Sequence, residues 1–422
     1  MISEFNKICV VGLGYIGLPT ASLLATKGFA VHGVDISSKI VEIINAGKIH
    51  IVEPDLDVLV KSAVQSGRLK ASMDPVPADV FILAVPTPFK DDHVPDISYV
   101  EAATRSIAPC LSPGNLVILE STCPVGTTEK VAGWIQELRP DLRIPNLSPM
   151  VIGSGTDFQL FIAHCPERVL PGQILKELVE NDRIVGGINE PSTEVAKGFY
   201  KQFVSGTVLI TDSRTAELAK LVENTYRDVN IAFANELSLI CEGLKIDVWK
   251  LIEFANHHPR VNILKPGPGV GGHCIAVDPW FIVDALPEEA KLIRTAREIN
   301  DAKPDFVVKK VKENAARFKA PTIACLGLAY KANVDDLRES PSVEIVRQLA
   351  ALHLGDIWAV EPHIEKLPST LALCNVHLVP LMDALKKADI IVGLVDHAVF
   401  REIDPCELAG KIVIDTRGMW HL

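Results

Sequence analysis

Residues 7–35, KICVVGLGYIGLPTASLLATKGFAVHGVD, limit the fold of this chain more than any other stretch. A short apolar run meets a glycine turn, a helical pattern follows, and a second apolar run ends on Asp35. That reads as strand, turn, helix, strand, the crossover unit of a parallel sheet. Gly12, Gly14 and Gly17 fit the G-x-G-x-x-G spacing. The first permits a tight turn, the second lets the backbone approach a pyrophosphate, and the third lets helix and strand pack closely. The helix N-terminus offers N–H groups and a positive dipole end to phosphates. Asp35, about 20 residues on, is placed to reach a ribose 2′-hydroxyl. A carboxylate there repels a 2′-phosphate, and the ISS that follows brings no arginine to offset it, so the expected cofactor is NAD rather than NADP.

The alternation continues with apolar runs at 79–85 (DVFILAV), 116–120 (LVILE) and 161–165 (FIAHC), which extend the reading to a doubly wound parallel sheet. Ligands in such sheets sit beyond the carboxyl ends of the strands. Here that means PTP (86–88), STCPVGTT (121–128) and PERVLPG (166–172), each of which taken singly also reads as an ordinary capped turn. From Ser213 to about Gly243 the pattern becomes one long helix, with Glu217, Lys220, Asn224 and Arg227 on a shared face. Periodicity alone makes that face a solvated stripe. The apolar groups of NIAFANELSLI further along suggest a buried helix or a subunit interface. From Pro321 a second α/β module begins (TIACLGL, DIWAVEP, ADIIVGLVDH, KIVIDTRG) without a second G-x-G-x-x-G, so no second dinucleotide is expected. The fold class expected is α/β, two Rossmann-like doubly wound parallel-sheet domains joined by a central long helical region, with boundaries at 1–205, 206–315 and 316–422.

A formal net charge of −11 argues against a nucleic-acid or anionic-lipid partner, both being polyanions. No run reaches the roughly 18 apolar residues of a membrane span, and the first residues run into a strand without a secretory pattern. Nine cysteines without a C-x-x-C pair suit a reducing cytoplasm. The two histidines of NHHPR are adjacent and cannot share a helix face at the spacing zinc sites often use, so no metal is expected.

One loop remains, PGPGVGGHCIAVDPW (266–280), where Cys274 stands among glycines and prolines. Together with VGLGYIGLP, STCPVGTT, PERVLPG, AELAKLVENTYRDVNIAFANE and GLAYKANVDDLRESP, this loop resembles, in order and over nearly the whole chain, the nucleotide-sugar 6-dehydrogenases that include UDP-glucose and GDP-mannose dehydrogenases. The resemblance implies an N-terminal NAD domain, a C-terminal UDP-binding domain, and a central helix that forms a homodimer. It also implies oxidation of a sugar C6 alcohol to a carboxylate with two NAD. N-acetylmannosamine is the first candidate sugar, N-acetylglucosamine and glucose the alternatives, and the product would serve bacterial surface polysaccharide such as enterobacterial common antigen.

By the same match Cys274 is the nucleophile, Lys220 the acid/base or oxyanion partner, and Asn224 its hydrogen-bonding neighbour. Thr122, Glu167 and Asp278 match positions that order the hydrolytic water. Tyr15, Ile16, Asp35, Thr87 and Thr128 match cofactor contacts, and Arg338 a position near cofactor and substrate together. Arg168, Val169, Arg227, His258, Arg260, Gly271, Lys331 and Ala332 match substrate contacts, as do Lys220 and Asn224. A catalytically idle nucleotide-binding protein is the competing class, and it would need none of the group Cys274, Lys220, Asn224 and Asp278.

Overall fold

A computed structural model describes residues 5–51, 53–90, 93–142, 144, 160–170, 172–272 and 274–420. Pro171 of the PERVLPG loop and His273 beside Cys274 lie outside the described residues. The chain divides into two compact units, Met1–Val222 and Glu223–Leu422, the division falling inside the long helix Ser213–Leu244.

The first unit is built on β1 (Lys7–Val11), β2 (Ala30–Val34), β3 (Leu69–Ser72), β4 (Val80–Leu83), β5 (Asn115–Leu119), β6 (Leu160–His164), β7 (Arg183–Gly187) and β8 (Val208–Asp212). They form one sheet in the order β3-β2-β1-β4-β5-β6-β7-β8. In β1, Ile8 and Val10 enter one core while Cys9 and Val11 enter another on the opposite face. Both faces are therefore covered, which is why the strand reads as a continuous apolar run rather than an alternation.

The sheet departs from the expected one in two ways. β6 and β7 pair antiparallel while the other ladders are parallel. Strands β3, β7 and β8 also carry weak signals: LKAS is short and half polar, RIVGG opens on an arginine and closes on two glycines, and VLITD is an edge strand with Leu209 and Ile210 exposed.

The second unit holds β9 (Thr322–Leu326), β10 (Asp356–Val360), β11 (Val376–Leu378), β12 (Ile390–Gly393) and β13 (Ile412–Asp415), all parallel, in the order β11-β10-β9-β12-β13. Strand order reverses between β9 and β12, the topological switch point where open α/β sheets take ligands. Ahead of this sheet, the helix Lys291–Ala315 is tied to the Ser213–Leu244 helix by a buried polar ladder. Arg297 Nη1 donates to Asp228 Oδ1 at 2.6 Å, and Asn300 Nδ2 donates to the same oxygen at 2.8 Å. Asn235 Nδ2 donates to Asn300 Oδ1, and the Gly267 N–H donates to Asn235 Oδ1, both at 2.8 Å. The ladder ends on the loop that carries Cys274. Among the described residues no helix is long and apolar enough to cross a membrane.

Candidate functional site

The dinucleotide end follows from the glycines. Gly12 sits at φ +91°, and a Cβ there would lie 2.5 Å from the Ala84 carbonyl oxygen, so the turn after β1 excludes other residues. A Cβ on Gly17 would lie 1.8 Å from the Gly12 carbonyl oxygen, which makes glycine the requirement for packing the helix Gly17–Thr26 on the turn. At Gly14 no described atom lies within 4 Å of where a side chain would start. Among the described residues no side chain caps this helix, and its first turn carries no acidic residue. An open glycine beside an uncapped helix start fits a pyrophosphate. Asp35 Oδ2 accepts from the Leu13 N–H (3.1 Å) and Oδ1 from the Ser37 N–H (2.9 Å), which holds the carboxylate at the end of β2 while each oxygen keeps acceptor capacity for ribose hydroxyls. These features fit a dinucleotide whose nicotinamide accepts one hydride per oxidation step. The Thr87 hydroxyl donates to the Thr122 carbonyl, which joins two of the expected loops.

Thr128 is the second residue of the helix Thr127–Leu138. It is fully buried, with its N–H (2.7 Å) and hydroxyl (2.6 Å) both donated to Glu217 Oε1, while the Gly126 N–H donates to Glu217 Oε2 at 2.6 Å. Glu217 therefore caps the helix Thr127–Leu138 from outside it. Thr128 thus supports the loop, and Glu217 is taken out of any solvated stripe. Burial pushes the Glu217 carboxyl up in pKa. Arg227, by contrast, is exposed.

Glu167 belongs to a buried network. Its Oε2 accepts from Arg183 Nη1 at 2.6 Å and its Oε1 from the Arg168 N–H at 2.6 Å. Glu167 pairs with Arg183, at the start of β7, and Arg168 Nη1 donates to the Asp182 carbonyl. Glu120, at the end of β5, is buried and accepts from the Tyr200 hydroxyl at 2.8 Å. Burial first, and the charge of Glu167 second, push its carboxyl up to about 7. The sequence reading missed Arg183, Glu120 and Tyr200; a buried arginine opening a strand looks like a loop charge until its partner is known.

A carboxyl that ionises near 4.5 in the unfolded chain but near 7 in the fold stabilises the fold below 4.5, and that stability is lost as pH rises through 7. Glu120→Gln removes the titration, so its stability relative to the unsubstituted protein is expected to grow by about 3 kcal/mol between pH 4 and pH 8. Urea midpoints across that range measure it, and a constant difference would contradict it.

The Cys274 loop is shaped by contacts within the second unit. A Cβ on Gly271 would meet the Glu339 carbonyl oxygen at 2.3 Å, and one on Gly272 (φ +84°) would meet the Tyr330 ring at 2.9 Å. The Gly272 N–H donates to the Arg338 carbonyl at 3.2 Å. The glycines thus let this loop lie against the segment that carries Lys331, Ala332 and Arg338. Cys274 is half-buried, and its carbonyl accepts from the Val277 (3.0 Å) and Asp278 (2.9 Å) N–H groups, which puts it one turn ahead of the helix Asp278–Ala285. A position at a helix N-terminus favours a thiolate. Asp278 is buried and accepts from Asn224 Nδ2 at 2.5 Å, so two expected site residues far apart in sequence meet. Cys9 and Cys325, by contrast, are buried within strands, and burial pushes both thiols up to about 12.

The remaining substrate positions are spread over several loops. His258 and Arg260 are exposed, with the Arg260 N–H donating to His258 Nδ1 at 3.3 Å. Arg338 pairs with Asp336 at 2.6 Å on the surface, and Lys331 and Ala332 are half-buried.

Among the described residues, two clusters bring metal-ligating atoms within 4.8 Å of one another, Cys123–His164–Glu217 and Glu361–His363–His397. In the first, Glu217 already accepts four donors, Cys123 Sγ among them, and burial holds the His164 ring neutral, its pKa lowered to about 3.

So organised, the chain is an NAD-binding dehydrogenase with a second, nucleotide-binding parallel sheet. Its sequence makes it a member of the UDP-glucose/GDP-mannose dehydrogenase family: residues 6–204 match the family's NAD binding domain, 214–302 its central domain and 324–422 its UDP binding domain. It is 58% identical over 417 residues to the NDP-N-acetyl-D-galactosaminuronic acid dehydrogenase of Ralstonia nicotianae (99% of this chain, 97% of the relative). It is 57% identical over 404 residues to the UDP-N-acetyl-D-mannosamine dehydrogenase of Campylobacter jejuni (95% and 98%). Among solved structures, the UDP-N-acetyl-mannosamine dehydrogenase Cap5O from Staphylococcus aureus superposes with a TM-score of 0.87 at 42% identity, covering 99% of this chain and 96% of that one.

Proposed function

We propose that this protein oxidises the C6 alcohol of UDP-N-acetyl-D-mannosamine to the carboxylate, giving UDP-N-acetyl-D-mannosaminuronic acid. The full-length similarity to relatives bearing that activity in their names carries the proposal. It agrees with the motifs CPERVLPG, NHHPRVNI and GGHCIAVDPWF. The first oxidation removes a hydride from C6 and a proton from its hydroxyl, leaving an aldehyde. The Cys274 thiolate adds to that aldehyde, and loss of a second hydride from the thiohemiacetal leaves a thioester, which water cleaves to acid and thiol. Lys220 takes or stabilises the alcohol proton and the developing oxyanions, with Asn224 one helical turn away. Glu167, Thr122 and Asp278 order the attacking water. NAD is held at Gly12–Gly17 and Asp35. The uridine diphosphate lies on the second unit, near Lys331 and Ala332.

The Ralstonia relative favours a second reading, the same chemistry on the galacto sugar. A panel of UDP-N-acetylmannosamine, UDP-N-acetylgalactosamine, UDP-N-acetylglucosamine and UDP-glucose separates them by kcat/KM. The manno sugar is expected to lead by about tenfold or more. A galacto lead would overturn the sugar assignment, and no turnover of any would favour an idle binding protein.

The active form is a homodimer through the Ser213–Leu244 helix. Leu218, Val222, Tyr226, Phe233, Ile240 and Leu244 are exposed at spacings of four and seven, a continuous apolar stripe that a second copy would cover. Nine cysteines outside any disulfide suit a reducing cytoplasm, where the uronate would be consumed in surface-polysaccharide synthesis.

A further inference from the structure

The second unit contains a buried histidine–carboxylate pair that neither the reaction nor the substrate positions named above use. His397, in the loop after β12, is fully buried. Its Nδ1 accepts the Asn333 N–H at 2.9 Å, and its Nε2 lies 3.1 Å from Glu361 Oε2. Because Nδ1 accepts, the ring proton sits on Nε2 and is donated to Glu361.

Glu361, at the end of β10, is itself buried, and the same oxygen accepts the Leu328 (2.7 Å) and Ala329 (3.0 Å) N–H groups. Its other oxygen accepts the His363 N–H at 3.2 Å. Asn333 has φ +60°, and its Oδ1 accepts the Ala398 N–H at 3.0 Å. One pair of side chains therefore ties together the carboxyl ends of β9, β10 and β12.

This pair lies at the switch point of the five-stranded sheet, where a ligand is expected. The segment it holds, 328–333, carries Lys331 and Ala332 in its middle. A metal is the competing use of Glu361, His363 and His397. It fails on hydrogen bonds: both ring nitrogens of His397 are occupied, and Glu361 already accepts four donors. Binding an ion would release the segment that the pair holds.

We propose that His397 and Glu361 are positioning residues for uridine diphosphate, fixing the backbone that carries Lys331 and Ala332 without touching the ligand. This rests on the reading that the second unit takes the UDP moiety. The test is calorimetric binding of UDP, and separately of NAD, to the full chain.

His397→Ala removes the acceptor of the Asn333 N–H and leaves Glu361 without its ring partner, and is expected to weaken UDP about tenfold. NAD affinity should be unchanged, since the glycine turn belongs to the other compact unit. His397→Asn, whose Oδ1 can take the place of Nδ1, should recover most of the UDP affinity. Asn333→Gly keeps the left-handed backbone but loses the bond to Ala398, and should weaken UDP several-fold.

Equal UDP binding by His397→Ala and the unsubstituted protein would overturn the proposal, and so would equal losses for UDP and NAD. If His397→Ala does not fold, unchanged UDP binding by Asn333→Gly overturns it alone. Failure of the unsubstituted protein to bind UDP would instead refute the functional reading beneath it.

Discussion

Replacing Cys274 with serine is expected to reduce uronate formation on the order of a thousandfold or more, while NAD binding is unchanged. The thiol of an ordinary cysteine is a few per cent thiolate at pH 7, and a hydroxyl is essentially never ionised there. The Val277 and Asp278 N–H groups hold Cys274 one turn ahead of the helix Asp278–Ala285 through its carbonyl. The NAD turn belongs to a different compact unit, so the substitution should not reach it. Mass spectrometry of the sugar product is the measurement. The serine variant should leave unreacted alcohol or aldehyde, and acid at the normal rate would show that another group, or a free aldehyde hydrate, carries the second oxidation.

The second large effect is on stability. Arg297→Met is expected to cost about 3–5 kcal/mol, because it strands a carboxylate in the interior. Asp228 is fully buried, and beside Arg297 it keeps only neutral partners on Asn300. Replacing both members, as Arg297→Met with Asp228→Leu, should recover most of the loss, since the uncompensated charge is then gone. Urea unfolding of the three proteins decides it, and a cost under about 1 kcal/mol for the single change would mean that water or rearrangement solvates Asp228. The ladder runs on through Asn300 and Asn235 to Gly267, so the single substitution should also lower kcat by loosening the Cys274 loop.

The parts that were legible in the sequence are those whose constraint is local. The Gly12–Gly17 turn declares itself because Gly17 answers to Gly12 and Gly12 to Ala84 of the neighbouring strand end, while Gly14 faces open space. Strands buried on both faces, such as β4 and β5, declare themselves by unbroken apolar runs. Illegible parts depend on partners distant in sequence. Glu217 lies on the helix face of Lys220 and Asn224, yet it caps a helix that begins 90 residues earlier. Arg183 is recognisable only once Glu167 is seen beside it, and His397 only once the loop after β9 is in place. Thr128, a motif position expected at the cofactor, also holds the loop through Glu217, a partner 89 residues away.

The central claim is that one site removes four electrons from one carbon, with a cysteine thioester between the second oxidation and hydrolysis. Counting NADH released per UDP-N-acetylmannosamine consumed, by absorbance against the acid product, tests it most directly. Two NADH for each acid formed is the predicted ratio. One NADH per sugar, with aldehyde as the product, would contradict it.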